Sequence, residues 1–498
     1  MDQPHSEALR ALTRQVQQDL ALLAYPNRSW VLPPTDSEGQ EDVFNVVIVG
    51  GGQAGLSTAL ALRREGVERV LIIDSQPEGK EGVWDTFARM THLRTPKFTV
   101  GIEGGIANLS APAFYKAAYG DEAWARIDRI ERPRWMAFLR WFREVTGLQV
   151  LNNNSCTSLS KHGNLIALTV DAMTESDGAS SDMPQTRTLL ARHVVLTTGF
   201  DGCGQWKIPE HIASSVSPAR LNHSNEPIDF AALAGKRVGI LGHGASAFDN
   251  ACVVLEHGAS SVDLCFRRQQ IPTINPHRRL EFSGFLKHFY ELDDLTRWRT
   301  NRFFEVQDQP PTQNGWDRAH SYKQFKVHAG SPWIKLQDDG QVVHVQTPNA
   351  QFEFDHLICA TGAVVDFAAR GELRTLGPLV QRWHHRFTPP ADLQSTSLGD
   401  HPYLGPGFEY LPLDSKNDAW VRRVKAFNFS SIVSMGPHTT SASGHKYSVP
   451  RLVNGITAAL MAEQAEALLP ALEAYDEVEL RPVIARTEIE LPGLVVAR

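Results

Sequence analysis

A glycine pattern constrains this chain more than any other feature. Gly50, Gly52 and Gly55 stand as G-x-G-x-x-G directly after the apolar run FNVVIVG and before LSTALALRREG, whose apolar residues recur at helical spacing. In such a turn the first glycine permits a tight bend and the second lets backbone approach a pyrophosphate. The third lets helix and strand pack closely, while the helix N-terminus offers NH donors. Asp74 closes the next apolar run, VERVLIID, where a carboxylate can accept hydrogen bonds from a ribose. Strand, turn, helix and strand make a βαβ unit of about thirty residues, the signature of a dinucleotide fold.

The same order recurs later in the chain. GKRVGILG (235 to 242) reads as a strand, HGASAFDNACVVLEHGA as turn and helix, and SVDLCFRR (261 to 268) as a second strand. Gly242 and Gly244 are followed by Ala247 at the third position, a substitution that a slightly wider helix approach allows. This second strand ends in Arg267 and Arg268 instead of an acid. Guanidinium groups there suit a 2′-phosphate, which favours NADPH over NADH.

Two further strands, HVVLTTG (193 to 199) and DHLICATG (355 to 362), end in Thr-Gly, the latter at Thr361 and Gly362. Such endings suit a chain leaving a parallel sheet where its carboxyl ends face a ligand, and they mark crossings between domains. The expected fold is α/β, with two Rossmann-like dinucleotide-binding domains. Residues 1–43 form a helix and linker, 44–206 the first part of the first domain, 207–362 an inserted second domain, and 363–498 the return to the first with a C-terminal helix.

At 498 residues the chain is long enough for about three domains, and 42% hydrophobic with 21% charged residues is ordinary globular composition. A net charge of -7 argues against nucleic acid or an anionic membrane surface as partner. A small molecule is the expected partner; self-association is left open. The five cysteines, Cys156, Cys203, Cys252, Cys265 and Cys359, are scattered and none has C-x-x-C spacing. That excludes a disulfide reductase, which needs a cysteine pair beside its flavin, and fits a reducing compartment. No apolar run approaches the ~18 residues of a membrane span, and the N-terminus lacks a signal-peptide pattern, so a cytoplasmic location is expected. Leu9, Leu12, Val16, Leu20 and Leu23 predict an amphipathic helix over 6 to 24, SWVLPPTDSEGQED a linker, and 175 to 185 an exposed hairpin loop. His384 and His385 lack partners at metal-ligand spacing, and no metal site is expected.

A chain with one dinucleotide fingerprint near its N-terminus and an NADPH-type fingerprint in an inserted fold resembles the two-dinucleotide-binding-domain flavoproteins. The resemblance implies FAD at the first site. Gly82 and Trp84 in EGKEGVWDTFARMTHLRTPK are similar to the G-G-x-W segment that lies along the FAD in flavin monooxygenases. Together with GHGASAFD and Ala360-Thr361-Gly362 followed by Asp366, these residues resemble the class B flavoprotein monooxygenases from Phe44 to about Ala465. Ser217 and Ala219 stand where the F-x-G-x-x-x-H pattern, ending here at His223, has Phe and Gly. That departure counts against typical Baeyer-Villiger and flavin-containing monooxygenase activity.

The resemblance implies an FAD- and NADPH-dependent monooxygenase that forms a C4a-hydroperoxyflavin from O2 and passes one oxygen atom to a small nucleophilic substrate. Met90 and the following LRTPK are similar to the N-hydroxylating branch, which makes an amine or amino acid the first expectation, with Arg94 or Lys97 as partner for a substrate carboxylate. Baeyer-Villiger oxidation or sulfoxidation is the alternative reaction. A catalytically degenerate flavin- and nucleotide-binding regulatory protein is the alternative of another class. The Gly/Ser/Thr-rich stretch 435 to 456, expected to enter a helix near Pro450, is where the resemblance returns the chain to FAD, with Ser441, Ser443, His445 and Lys446 as candidate side chains. The stretch 276 to 335 carries Phe282, Phe285, His288, Phe289, Tyr290, Trp298, Phe303 and Phe304, most of them expected in a core.

Overall fold

The run Val43–Val49 is buried at every position but Phe44, and it becomes a central strand with Val70–Ile73 parallel on one side and Gln185–Leu196 parallel on the other. A strand covered on both faces must be nearly all apolar, which is why this run does not alternate. Leu165–Ala172 pairs antiparallel with Gln185–Leu196 and Asn154–His162 antiparallel with Leu165–Ala172, Val150–Leu151 pairs parallel with Val70–Ile73 at the other edge, and Val424–Ala426 returns late in the chain to pair with Gln185–Leu196, giving seven strands.

The second sheet has five parallel strands, in the order Phe325–His328, Ser261–Cys265, Arg237–Leu241, His356–Cys359 and Leu221–His223. Helix Ala245–Glu256 packs on it through Phe248, Ala251 and Val254, against Val238, Ile240 and Leu264. Between the two sheets in sequence, Gly204–Trp206 pairs antiparallel with Ala363–Val365. The two connections therefore run side by side as a short ribbon.

The computed structural model describes residues 6–33, 43–98, 101–172, 185–200 and 202–480. The chain divides into two compact units, Met1–Thr457 and Ala458–Arg498. Both sheets lie in the first. In the second, the end of helix Ala442–Glu463 is followed by helix Ala465–Glu473, whose Leu468, Leu469 and Leu472 are exposed. The expected hairpin loop and most of the expected linker fall outside the described residues.

Three expectations change. The first helix is Ser6–Leu22, with Leu12 and Val16 buried, and Leu23 lies beyond its end and exposed. Pro450 does not mark a helix entry: the helix begins at Ala442 and carries Pro450 inside it. Pro450 and Lys446 are both exposed, so the carbonyl that loses its NH partner lies on a wet face, where the break is mild. In the insertion, Phe289, Trp298 and Phe304 are buried, but Phe282, His288 and Phe303 are exposed, because the segment breaks into short helices that do not keep one apolar face.

Candidate functional site

Gly50 ends the first strand at φ +111°, and a Cβ there would lie 2.6 Å from the Thr197 carbonyl oxygen. A Cβ on Gly55 would come within 1.9 Å of the Gly50 oxygen, so helix and turn touch with no room for a side chain. Helix Gln53–Arg64 starts at Gly52 without a side-chain cap, leaving its first NH groups free for an anion. Asp74 follows the second strand and accepts from the Gly51 NH at 2.6 Å and the Gln76 NH at 2.7 Å. Burial nonetheless holds its carboxyl above the ordinary range, outweighing those two bonds. Gly82, at φ +79°, passes over Gly52, and the Trp84 ring meets Trp135 edge-on at 6.1 Å. Beside the turn lies a cavity of about 500 Å³ lined by Gly51, Gly52, Glu78, Glu81, Arg140 and Arg143. Glycine turn, uncapped helix, buried acid and cavity together fit the pyrophosphate and ribose of a dinucleotide.

The second unit repeats this register. The Gly242 NH bonds the Cys265 carbonyl as the Gly50 NH bonds that of Ile73. Gly242 has φ +142°, with the Ala360 carbonyl 2.5 Å from any Cβ, and Ala247 is fully buried where the third glycine would stand. A Cβ on Gly244 would meet nothing within 4 Å. That open space lies at the uncapped start of helix Ala245–Glu256, which suits a pyrophosphate. Arg267 is exposed and has no side-chain hydrogen bond or ion pair among the described residues. Arg268 is tied down: it donates to the Val306 carbonyl at 2.6 Å and lies 4.0 Å from Asp308. Thr361 donates to the Lys207 carbonyl, and the Gly362 carbonyl accepts from the Lys207 NH, so both belong to the ribbon between the sheets. His223 is buried and stacked on Trp206 at 5.6 Å.

The expected substrate partners fall in different places. The Lys97 ammonium is buried on the Trp124 carbonyl at 2.7 Å. Arg94 donates to the Pro310 carbonyl at 2.9 Å, and its guanidinium faces Asp249 and Asp308, with burial holding its pKa below the usual value. Ser441 and Ser443 share a hydrogen bond of 2.9 Å, His445 is fully enclosed beside Phe427, and Lys446 is exposed.

Near Arg94 the fold assembles a pair that no spacing in the sequence indicated. His277 Nδ1 lies 3.3 Å from His438 Nε2, and His277 stacks on Phe304 at 4.1 Å. Burial lowers both histidines, His277 to about 4, with His438 and Arg94 adding to the effect. Both are therefore neutral near pH 7, and each offers one NH and one lone pair. The only signal in the sequence was the density of His, Arg and aromatic residues in the two segments.

All five cysteines are buried and none is in a disulfide, and burial pushes the thiols of Cys156, Cys265 and Cys359 up to about 12. Those three thiols stay protonated at neutral pH, which makes them poor redox nucleophiles. Among the described residues no three His, Cys, Asp or Glu side chains are grouped to hold a metal ion, and no helix is long and apolar enough to cross a membrane.

A model of the pyridine nucleotide-disulphide oxidoreductase family matches residues 47–369. The chain is 39% identical over 476 residues, 95% of its length and 97% of the relative's, to the FAD-dependent urate hydroxylase of Xanthomonas campestris pv. campestris. Its fold is similar to that of the ornithine hydroxylase of Pseudomonas aeruginosa (TM-score 0.64, 14% identity, 84% of this chain and 100% of that one). It is also similar to the cadaverine monooxygenase of Erwinia amylovora (TM-score 0.61, 13% identity, 84% and 95%). With two dinucleotide turns and no cysteine pair, the chain belongs to the pyridine nucleotide-disulphide oxidoreductase family, in its flavin-dependent monooxygenase branch.

Proposed function

We propose that this oxidoreductase binds FAD at the turn of Gly50, Gly52 and Gly55 and NADP(H) at the turn of Gly242 and Gly244, and hydroxylates urate or a closely similar purine. The observation that carries the substrate is the likeness, over nearly the full length of both chains, to a urate hydroxylase. When bound, NADPH supplies the hydride and reduced FAD the activated oxygen atom. The balance is one purine, O2, NADPH and a proton giving hydroxylated purine, NADP+ and water.

The chain's own work is to bind and orient. Asp74 offers its carboxylate to the adenosine ribose, the free NH groups after Gly52 and Gly244 take the two pyrophosphates, and Arg267 takes the 2′-phosphate. His277 and His438 use one ring nitrogen each on one another, so the neutral pair leaves one donor and one acceptor, which match an adjacent C=O and NH of a trioxopurine edge. Arg94 and Arg278 add positive charge for a weakly acidic purine that is an anion at neutral pH. Phe304 covers His277 from the apolar side. A carboxylate-bearing amine is less well served, because Lys97 is committed to Trp124.

The test is NADPH consumption by FAD-loaded protein with urate, xanthine, ornithine, lysine and cadaverine, with peroxide measured in parallel. Urate should be consumed in step with NADPH and with little peroxide. Coupled turnover with an amine and none with urate would replace this reading by N-hydroxylation.

A further inference from the structure

The two dinucleotide turns share a register but differ in where their acid comes from. In the first, the carboxylate of Asp74 sits on Gly51, the residue after the first glycine. In the second, the residue after the strand is Phe266, and no acid stands there. The residue after Gly242 is His243, and its Nε2 lies 3.1 Å from a carboxylate oxygen of Asp308. Asp308 comes from the insertion, directly after helix Asp294–Gln307, at φ +62°. The same oxygen lies 4.0 Å from Arg268, whose guanidinium also donates to the Val306 carbonyl two residues earlier. The Gln309 NH fixes the other carboxylate oxygen at 2.7 Å.

We propose that Asp308 is a nucleotide-specificity residue: it holds Arg268 away from an incoming 2′-phosphate and returns a carboxylate to the second turn, so that the site admits NAD(H) beside NADP(H). The physical basis is direct. A carboxylate repels a 2′-phosphate and accepts from a 2′-hydroxyl, whereas a guanidinium does the reverse. With Arg268 partly neutralised, discrimination for the phosphate rests mainly on the exposed Arg267. Unlike Asp74, this acid comes from a separate segment, the insertion, and not from the end of the second strand.

The inference rests on the second fold being the nicotinamide nucleotide site, and the test separates the two. Dissociation constants for NADP+ and NAD+ are measured by calorimetry on the FAD-loaded wild type, Asp308→Asn and Asp308→Ala, with no purine present. The amide keeps the size of the side chain, and melting temperatures report whether either variant is misfolded. In Asp308→Asn the preference for NADP+ over NAD+ should rise about tenfold, chiefly through tighter NADP+. Adding Arg268→Ala should remove most of that gain, since the two residues act through one contact. An unchanged ratio in both folded Asp308 variants overturns the role of Asp308 and leaves the nucleotide site standing. Failure of the wild type to bind either nucleotide overturns both.

Discussion

Gly82 lies across Gly52: a Cβ on Gly52 would be 3.5 Å from the Gly82 Cα, and one on Gly82 would be 3.6 Å from the Gly52 Cα. At these distances a Cβ makes ordinary contact, and a longer side chain on Gly52 would occupy the approach to the uncapped end of helix Gln53–Arg64. Gly52→Val should therefore fold and purify without its yellow flavin. Gly55→Ala should fail differently, because its Cβ would collide with the Gly50 carbonyl inside the βαβ unit. Absorbance after purification and a melting curve separate the outcomes, and full flavin content in Gly52→Val would refute the placement of FAD.

The two arginines after strand Ser261–Cys265 should not contribute equally. Arg267 is exposed and has no side-chain partner among the described residues, while Arg268 is held by Val306 and faces Asp308. Arg267→Ala should lower the preference for NADPH over NADH by about ten- to a hundredfold, the worth of a charge-assisted contact. Arg268→Ala should lower it by much less. Steady-state rates with both nucleotides decide this, and equal effects of the two variants would contradict the assignment.

If His277 and His438 grip the purine edge, removing either leaves a buried polar partner and an unfilled contact. His277→Ala and His438→Ala should each reduce kcat/KM for urate by about ten- to a hundredfold while retaining FAD. NADPH oxidation should continue with more peroxide released, because a poorly held substrate no longer captures the oxygen. Unchanged coupling in both variants would place the purine elsewhere.

What could be read from the sequence was what is local. Gly50, Gly55 and Gly242 are required by contacts within a few residues or with the adjacent strand, so their spacing alone indicates a turn that must exist. His277 and His438 are 161 positions apart and meet only because the insertion and the late return of the chain come together, which no periodicity encodes. Asp308 was invisible for the same reason. Asp74 stands at the end of its own strand, whereas Asp308 reaches the second turn from the end of a distant helix. Proline signals a helix entry where a missing NH is costly inside the helix; Pro450 lies on an exposed face, where the cost is small, and so it stands within helix Ala442–Glu463.

Acid should weaken the fold earlier than its carboxylates alone would cause. Burial pulls His277, His356 and His445 down to about 4, whereas the unfolded chain takes up protons near the ordinary 6.5. Between these values the unfolded state binds more protons, so stability is complete above about 6.5 and is lost as pH falls toward 4. For a fully effective site the loss at pH 5 is about 2 kcal/mol per histidine. Asp249, Asp74 and Glu103 work in the opposite sense: burial raises all three, Asp249 to about 6, so they add stability as pH falls, and they are set against His223, His401 and His438, which burial lowers as it does the three above. His356 is the simplest to isolate. It is buried, it donates to Asn222 Oδ1 at 2.9 Å, and Lys236 and Arg220 add to its lowered value. His356→Gln can keep the bond to Asn222 without a titrating ring. Urea midpoints at pH 7.5 and pH 5 should therefore fall less in His356→Gln than in the wild type, by the equivalent of about 1–2 kcal/mol. An identical acid loss in the two proteins, or a His356 imidazole that titrates near 6.5 by NMR, would show that this ring is not held neutral by its burial.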